Sequence, residues 1–81
     1  MTDSEKLDAA FRDALSLDDD LNLAHAAYGV TRGWDSTAHM QLVAEIEDAF
    51  DIMLDTDDVI GMSSYLVAKD ILRKYHVGLD D

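Results

Sequence analysis

The chain has 81 residues, which is the length of one small domain with a modest hydrophobic core. Its 18 acidic residues outnumber its 6 basic residues, which gives a formal net charge of −12 at pH 7. This charge argues against a protein that binds nucleic acid or an anionic membrane surface, and it favours binding to basic protein partners. The chain contains no cysteine, so any thiol chemistry must come from a bound cofactor.

The first residues show neither the basic flank nor the apolar run of a secretory signal. No apolar stretch approaches the roughly 20 residues that are needed to span a bilayer. The sequence therefore predicts a cytoplasmic protein without membrane insertion, built as a single domain over residues 1–81. We expect this domain to be a monomer.

The first helix is predicted over about residues 4–17. Thr2 followed by Glu5 fits a capping box at its start. Its apolar residues recur with the spacing of one buried helix face: Leu7, Ala10, Phe11, Ala14 and Leu15. The first helix therefore has one side that must pack against the rest of the domain.

A long connection, residues 18–34, separates the first helix from the second. Gly29 and Gly33 permit tight turns in it, and a connection of this length usually has a function or contains a short helix. The run Asp18–Asp20 resembles the opening of a calcium-binding loop, but Gly29 stands where the last glutamate ligand is required. A second acidic run at residues 55–58 fails the same template. The sequence therefore predicts no dedicated metal site.

The second helix is predicted to start at Asp35 or Ser36, because both residue types are preferred helix caps, and to end near Phe50. Its buried stripe is formed by Leu42, Val43, Ile46, Ala49 and Phe50. No lysine or arginine occurs between Asp35 and Asp51, whereas several acidic residues do. The second helix should therefore present one apolar face and one acidic face.

A short third helix is predicted from Asp55 to Ile60, and a last helix from Ser63 or Ser64 to about Tyr75. No segment alternates with a period of two over the length of a strand. The predicted fold class is all-α. It is a small four-helix bundle, with three main helices, a short third helix and a long loop between helices 1 and 2.

The run Gly33-Trp34-Asp35-Ser36 places a hydroxyl where the long connection meets the second helix. Unpaired backbone N–H groups and the positive end of the helix dipole favour an anion at such a position. Taken alone, however, an Asp-Ser pair at a helix start is explained by simple capping.

With its continuation to Ala49-Phe50-Asp51-Ile52, this run resembles the acyl carrier protein family, over about residues 3–77. In that family a transferase moves 4′-phosphopantetheine from coenzyme A to the serine of an Asp-Ser pair. The resemblance implies an acyl-carrier-protein-like bundle that is not an enzyme. Ser36 would carry acyl intermediates as thioesters on the arm. Asp35 would help to position the serine or would contact the transferase. The pathway would be fatty-acid-like, polyketide or other specialised acyl-chain biosynthesis.

The resemblance also implies partners: a phosphopantetheinyl transferase, and acyl-loading, acyl-transfer or condensing enzymes with basic patches. The residues expected to contact them lie on the second helix: Asp35, Thr37, Met40, Gln41, Glu45 and Asp48. Thr37 stands where the family commonly has an apolar leucine. The residues expected to line an acyl cavity between the second and fourth helices are Ile46, Phe50, Ile60, Met62 and Ala68.

Two other functions stay open. One is an aminoacyl or peptidyl carrier, which differs from an acyl carrier in cargo more than in fold. The other is an acidic protein-interaction module that is never modified. A hydrolase is disfavoured, because Trp34 and Ala38 stand where a nucleophile elbow requires glycine. We therefore expect His39 to face solvent on the first turn of the second helix.

Overall fold

The structure is a computed structural model, and it describes residues 2–17 and 21–75. The four α-helices within these ranges are α1 (Asp3–Leu15), α2 (Ser36–Phe50), α3 (Thr56–Gly61) and α4 (Tyr65–Lys74). A 3₁₀ turn at Leu23–His25 lies between α1 and α2. The described ranges contain no strand beyond an isolated bridge between Ala27 and Ser64. The predicted all-α class, with a short third helix and a long first connection, is confirmed. None of these helices is long and apolar enough to cross a membrane.

The capping box predicted for α1 is confirmed. The Thr2 hydroxyl accepts a hydrogen bond from the Glu5 amide at 3.1 Å, and the Glu5 carboxylate accepts one from the Thr2 amide at 2.9 Å. The backbone hydrogen bond from Thr2 holds the pKa of Glu5 below its usual value. The helix ends two residues before the predicted boundary, because Ser16 adopts a left-handed conformation with φ 54° and Leu17 N–H bonds back to the Arg12 carbonyl.

The core lies between α1, α2 and α4. Its largest fully buried side chains are Trp34, Phe11, Leu7, Leu42, Ile46, Met62 and Leu72. Phe11 meets the rings of Trp34 and Tyr65 edge-on, with centroids 5.3 Å and 5.1 Å away. The predicted stripe of α2 is buried at Leu42, Val43 and Ile46, whereas Ala49 and Phe50 are only partly buried.

The connection before α2 is tied to the start of α4. Tyr28 N–H donates to the Ser63 carbonyl at 2.8 Å, and Tyr65 N–H donates to the Ala26 carbonyl at 3.2 Å. Ala26 is buried, and it anchors this part of the connection in the core. The acidic run at residues 18–20 lies outside the described residues. Tyr28 also lies beside the first turn of α2, where the centroid of its ring is 5.3 Å from that of His39.

Helix α3 is attached differently from the other helices, because none of its side chains is buried. On the side facing α4, Asp58 accepts hydrogen bonds from Lys74 Nζ and from the Tyr75 hydroxyl, both at 2.6 Å. The same hydroxyl accepts a hydrogen bond from Asp55 N–H at 3.0 Å. The bonds from Lys74 and then Tyr75 lower the pKa of Asp58. Polar contacts thus hold α3 to the C-terminal end of α4.

Candidate functional site

The exposed Ser36 is the first residue of α2, as the sequence predicts. Asp35 is the N-cap, and its carboxylate accepts a hydrogen bond from Ala38 N–H at 2.9 Å. The first amides of any helix lack acceptors inside the helix, so the backbone here favours an anion. The helix start thus offers backbone N–H donors beside Ser36, of which the Asp35 carboxylate occupies the one at Ala38.

An open groove of about 360 Å³ begins beside Ser36 and runs between the first turn of α2 and α3. Its lining residues are Tyr28, Ser36, His39, Met40, Val59, Ile60, Met62 and Ser63. Met40 and Ile60 stand on opposite sides, 61 % and 76 % exposed. The groove is thus a mainly apolar surface with two serine hydroxyls at its edge.

The prediction that His39 faces solvent is wrong, because the residue is only 9 % exposed. Its Nδ1 accepts a hydrogen bond from Trp34 Nε1–H at 2.9 Å, and its Nε2 lies 2.8 Å from the Val59 carbonyl oxygen. The ring of Tyr28 packs against the imidazole with centroids 5.3 Å apart. The connection and α3 therefore cover the side of α2 on which His39 lies.

The predicted partner-binding residues all lie on α2 or at its start. Asp35, Thr37, Met40, Gln41 and Asp48 are exposed, whereas Glu45 is partly buried. Thr37, Gln41, Glu45 and Asp48 follow one stripe beside α1, and Met40 lies apart from them on the groove. This stripe, named the acidic stripe for Glu45 and Asp48, and the apolar groove are therefore two separate surfaces of α2.

Glu45 stands where the acidic stripe meets α1. Its Oε2 accepts a hydrogen bond from Gln41 Nε2 at 3.1 Å. Burial, and then the nearby Asp13 carboxylate, raise the pKa of Glu45 above its usual value. A carboxyl group whose pKa is raised by folding opposes folding when it is ionised, and this cost disappears as the pH falls and the group takes up a proton.

We expect Glu45→Gln to stabilise the protein at neutral pH by less than about 1 kcal/mol, the range of exposed charge pairs. The gain should shrink as the pH falls through the raised pKa of Glu45, because the wild-type group is then neutral too. Asp48→Asn removes one charge from the same stripe and is the control for net charge. Urea unfolding at several pH values measures the stability of both variants. An equal gain in stability in the two variants would contradict the effect of Asp13 on Glu45.

The five residues predicted to line an acyl cavity are placed in different surroundings. Ile46, Met62 and Ala68 are fully buried in the core, and Phe50 packs against the core while partly exposed. The side chain of Ile60, on α3, is exposed to solvent. Only Ile60 and Met62 border the groove beside Ser36.

Four groove residues were not singled out as site residues from the sequence: Tyr28, His39, Val59 and Ser63. The sequence offered one usable signal, a tryptophan just before the helix and a histidine in its first turn. An indole N–H is only a donor and a neutral imidazole has one free acceptor, so the two side chains are suited to each other.

Comparisons of the chain with models of protein families, with curated proteins and with solved structures gave no match. Function is therefore inferred from the residues around Ser36 and from their geometry.

Proposed function

We propose that this protein is an acyl carrier protein, which holds acyl intermediates as thioesters on a 4′-phosphopantetheine arm attached to Ser36. The observation that carries the proposal is the position of Ser36: it is the exposed first residue of α2, behind the Asp35 cap and at the edge of an apolar groove. A helix start stabilises the phosphate of the arm, and the groove offers its organic part an apolar surface.

In the proposed modification, a separate transferase uses coenzyme A and Mg²⁺. The Ser36 oxygen forms a bond to the phosphorus of the phosphopantetheine. The bond from that phosphorus to adenosine 3′,5′-bisphosphate breaks, and the hydroxyl proton passes to a base of the transferase. The carrier itself supplies only the hydroxyl and the helix start. The thiol belongs to the arm, which accords with a chain that has no cysteine.

The position of His39 supports a carrier over a hydrolase. A serine nucleophile needs a general base within hydrogen-bond reach. His39 is the only histidine in α2, and both of its ring nitrogens are already engaged, by Trp34 and by Val59. The imidazole is therefore not available to take the proton of Ser36.

The two surfaces of α2 fit two tasks of a carrier. The acidic stripe, with Glu45 and Asp48, suits basic patches on the transferase and on the enzymes that load or extend the chain. The groove walls formed by Met40, Val59 and Ile60 favour an acyl cargo over a polar aminoacyl or peptidyl one.

The test is intact mass spectrometry after incubation with a broad-specificity phosphopantetheinyl transferase, coenzyme A and Mg²⁺. We expect the wild type to gain one phosphopantetheine and Ser36→Ala to gain none. Ser63→Ala is the matched control, because it removes an exposed hydroxyl from the same groove. This control should be modified like the wild type.

If folded wild-type protein gains no mass, the carrier proposal fails. An acidic interaction module that needs no modification then becomes the better explanation, and its binding should survive Ser36→Ala. Circular dichroism on the same sample establishes that the protein is folded.

A further inference from the structure

His39 is the residue that links the connection, α2 and α3 at the groove. Its backbone belongs to the first turn of α2, while its two ring nitrogens reach Trp34 in the connection and Val59 in α3. Trp34 is itself only 2 % exposed. One side chain therefore joins a fixed part of the core to a helix that has no buried side chain of its own.

The two hydrogen bonds determine the state of the imidazole. An indole N–H is only a donor, so Nδ1 of His39 must be unprotonated to accept from Trp34. The Val59 carbonyl is only an acceptor, so Nε2 must carry a proton to bond it. Both bonds exist together only in the neutral ring with its proton on Nε2.

The bond to Val59 also matters to α3 itself. The last carbonyls of a helix have no donor within the helix. In a helix of six residues this leaves the Val59 carbonyl with only a long bond of 3.4 Å from Met62 N–H. The His39 imidazole supplies the second and shorter bond, at 2.8 Å. His39 thus holds α3 on its groove side, through the Val59 carbonyl, while the adjacent Asp58 holds it on the side of α4.

We propose that His39, as the neutral ring protonated on Nε2, is the positioning residue that holds the groove side of α3, at Val59, against α2. Loss of this state, by substitution or by protonation of Nδ1, frees the wall of the groove beside Ser36. The inference rests on the proposed function only in treating that groove as the place where the arm and its cargo lie.

Protonation of the imidazole conflicts with these contacts. A proton on Nδ1 would point at the N–H of Trp34, so two hydrogen-bond donors would face each other and no bond could form between them. Titratable or charged groups on the surrounding elements are His25, Tyr28, Arg32, Asp35, Asp55, Asp57 and Asp58. In the part of the chain that the structure describes, no carboxylate contacts the imidazole. Asp35 is engaged at the helix cap and Asp58 at α4. A charged ring would thus gain no counterion at this place and must turn away from Trp34.

The two sides of α3 should respond differently when the imidazole takes up a proton. Protonation of Nδ1 opposes the bond from Trp34. The pKa of Asp58 is lowered by Lys74 and Tyr75, so its bonds to α4 persist to a lower pH than those of an ordinary carboxylate. Protonation of His39 should therefore free the groove side of α3 while Asp58 stays attached to α4.

The first measurement is the ¹⁵N spectrum of the imidazoles in the wild type at about pH 8. We expect His39 to show the neutral ring with its proton on Nε2. A ring protonated on Nδ1, or on both nitrogens, would overturn the proposal. This measurement needs no variant, so it decides even if every substitution of His39 fails to fold.

The second measurement is amide hydrogen exchange at Met62, corrected for the intrinsic effect of pH. Replacing His39 by leucine should speed exchange roughly tenfold at about pH 8, the equivalent of one lost hydrogen bond. His39→Gln should have a smaller effect, because the glutamine amide still offers a donor towards Val59. In the wild type, exchange at Met62 should rise when acid protonates His39, and this rise should be absent from both variants.

Two controls separate positioning from general stability. His25→Gln removes an exposed imidazole from the 3₁₀ turn and should leave the pH profile of Met62 unchanged. Tyr75→Phe removes the bond from Tyr75 to Asp58 on the α4 side of α3, so it should speed exchange at every pH while keeping the acid-dependent rise. A rise that survives in His39→Leu would contradict the proposal.

The experiment uses the unmodified chain and is repeated on Ser36→Ala, in which no arm can be attached. The same profile is expected in both proteins. If the wild type shows the acid-dependent profile but gains no phosphopantetheine in the mass assay, the carrier function alone is refuted. If the wild type is modified but its exchange profile is flat, the role of His39 alone is refuted.

Discussion

Phe11→Ala is expected to lower the free energy of unfolding by about 3–5 kcal/mol, the usual cost of deleting a buried aromatic ring. Phe11 is fully buried, and its ring meets Trp34 and Tyr65 edge-on. These three rings come from α1, the connection and α4. No single element can close the cavity, because the three are held by separate contacts elsewhere in the core.

The matched control is Phe50→Ala, which removes the same ring from a partly exposed position on α2. Phe50→Ala should lower the free energy of unfolding by clearly less than Phe11→Ala does, since less apolar surface is uncovered and water can enter the space. Urea unfolding followed by circular dichroism measures both variants. Similar losses would show that the three-ring cluster is not the centre of the core.

A domain has only roughly 5–15 kcal/mol of stability in total, so Phe11→Ala can unfold the protein outright. Phe11→Leu keeps most of the apolar volume and is expected to give a measurable intermediate loss. Stability is expected to rise from Phe11→Ala to Phe11→Leu to the wild type. This order tests the same claim with a variant that stays folded.

Gly33→Ala is expected to have the next largest effect, because two independent costs coincide at this residue. Gly33 has φ +91°, a conformation that side chains rarely adopt, and an added Cβ would lie 2.8 Å from the Leu15 carbonyl oxygen. The backbone conformation alone costs about 1–2 kcal/mol for an L-residue. The contact adds the cost of overpacking against a backbone that cannot turn aside, roughly 1–3 kcal/mol.

Gly29→Ala separates these two costs. Gly29 also has a positive φ, +76°, but an added Cβ would meet nothing within 4 Å. This variant should show the conformational cost only. Urea unfolding of both proteins gives the difference directly. If Gly29→Ala is as destabilising as Gly33→Ala, then the close approach of the connection to the end of α1 contributes nothing.

The helix starts were predictable because capping acts over a few residues of chain. The Thr2–Glu5 box and the Asp35 cap both join residues three positions apart, and both are present in the structure. The Ser64 hydroxyl bonds Val67 N–H in the same way at the start of α4. Such bonds depend on local sequence, so the sequence contains the information that places them.

Burial within α3 was not predictable in the same way. Ile60 was expected to line a cavity between the second and fourth helices, yet it is 76 % exposed. Periodicity needs several turns to define a face, and α3 has only six residues. Which side of so short a helix faces the core is decided by its attachments, here through Asp58 and Val59.

The sequence by itself determined the all-α class, the order of the helices and the place of Ser36 at the start of α2, because helical periodicity and capping are local properties. Only the tertiary structure decided that His39 is buried between Trp34 and Val59. These three residues lie in different elements, and their hydrogen bonds form only when the connection and α3 close over the first turn of α2.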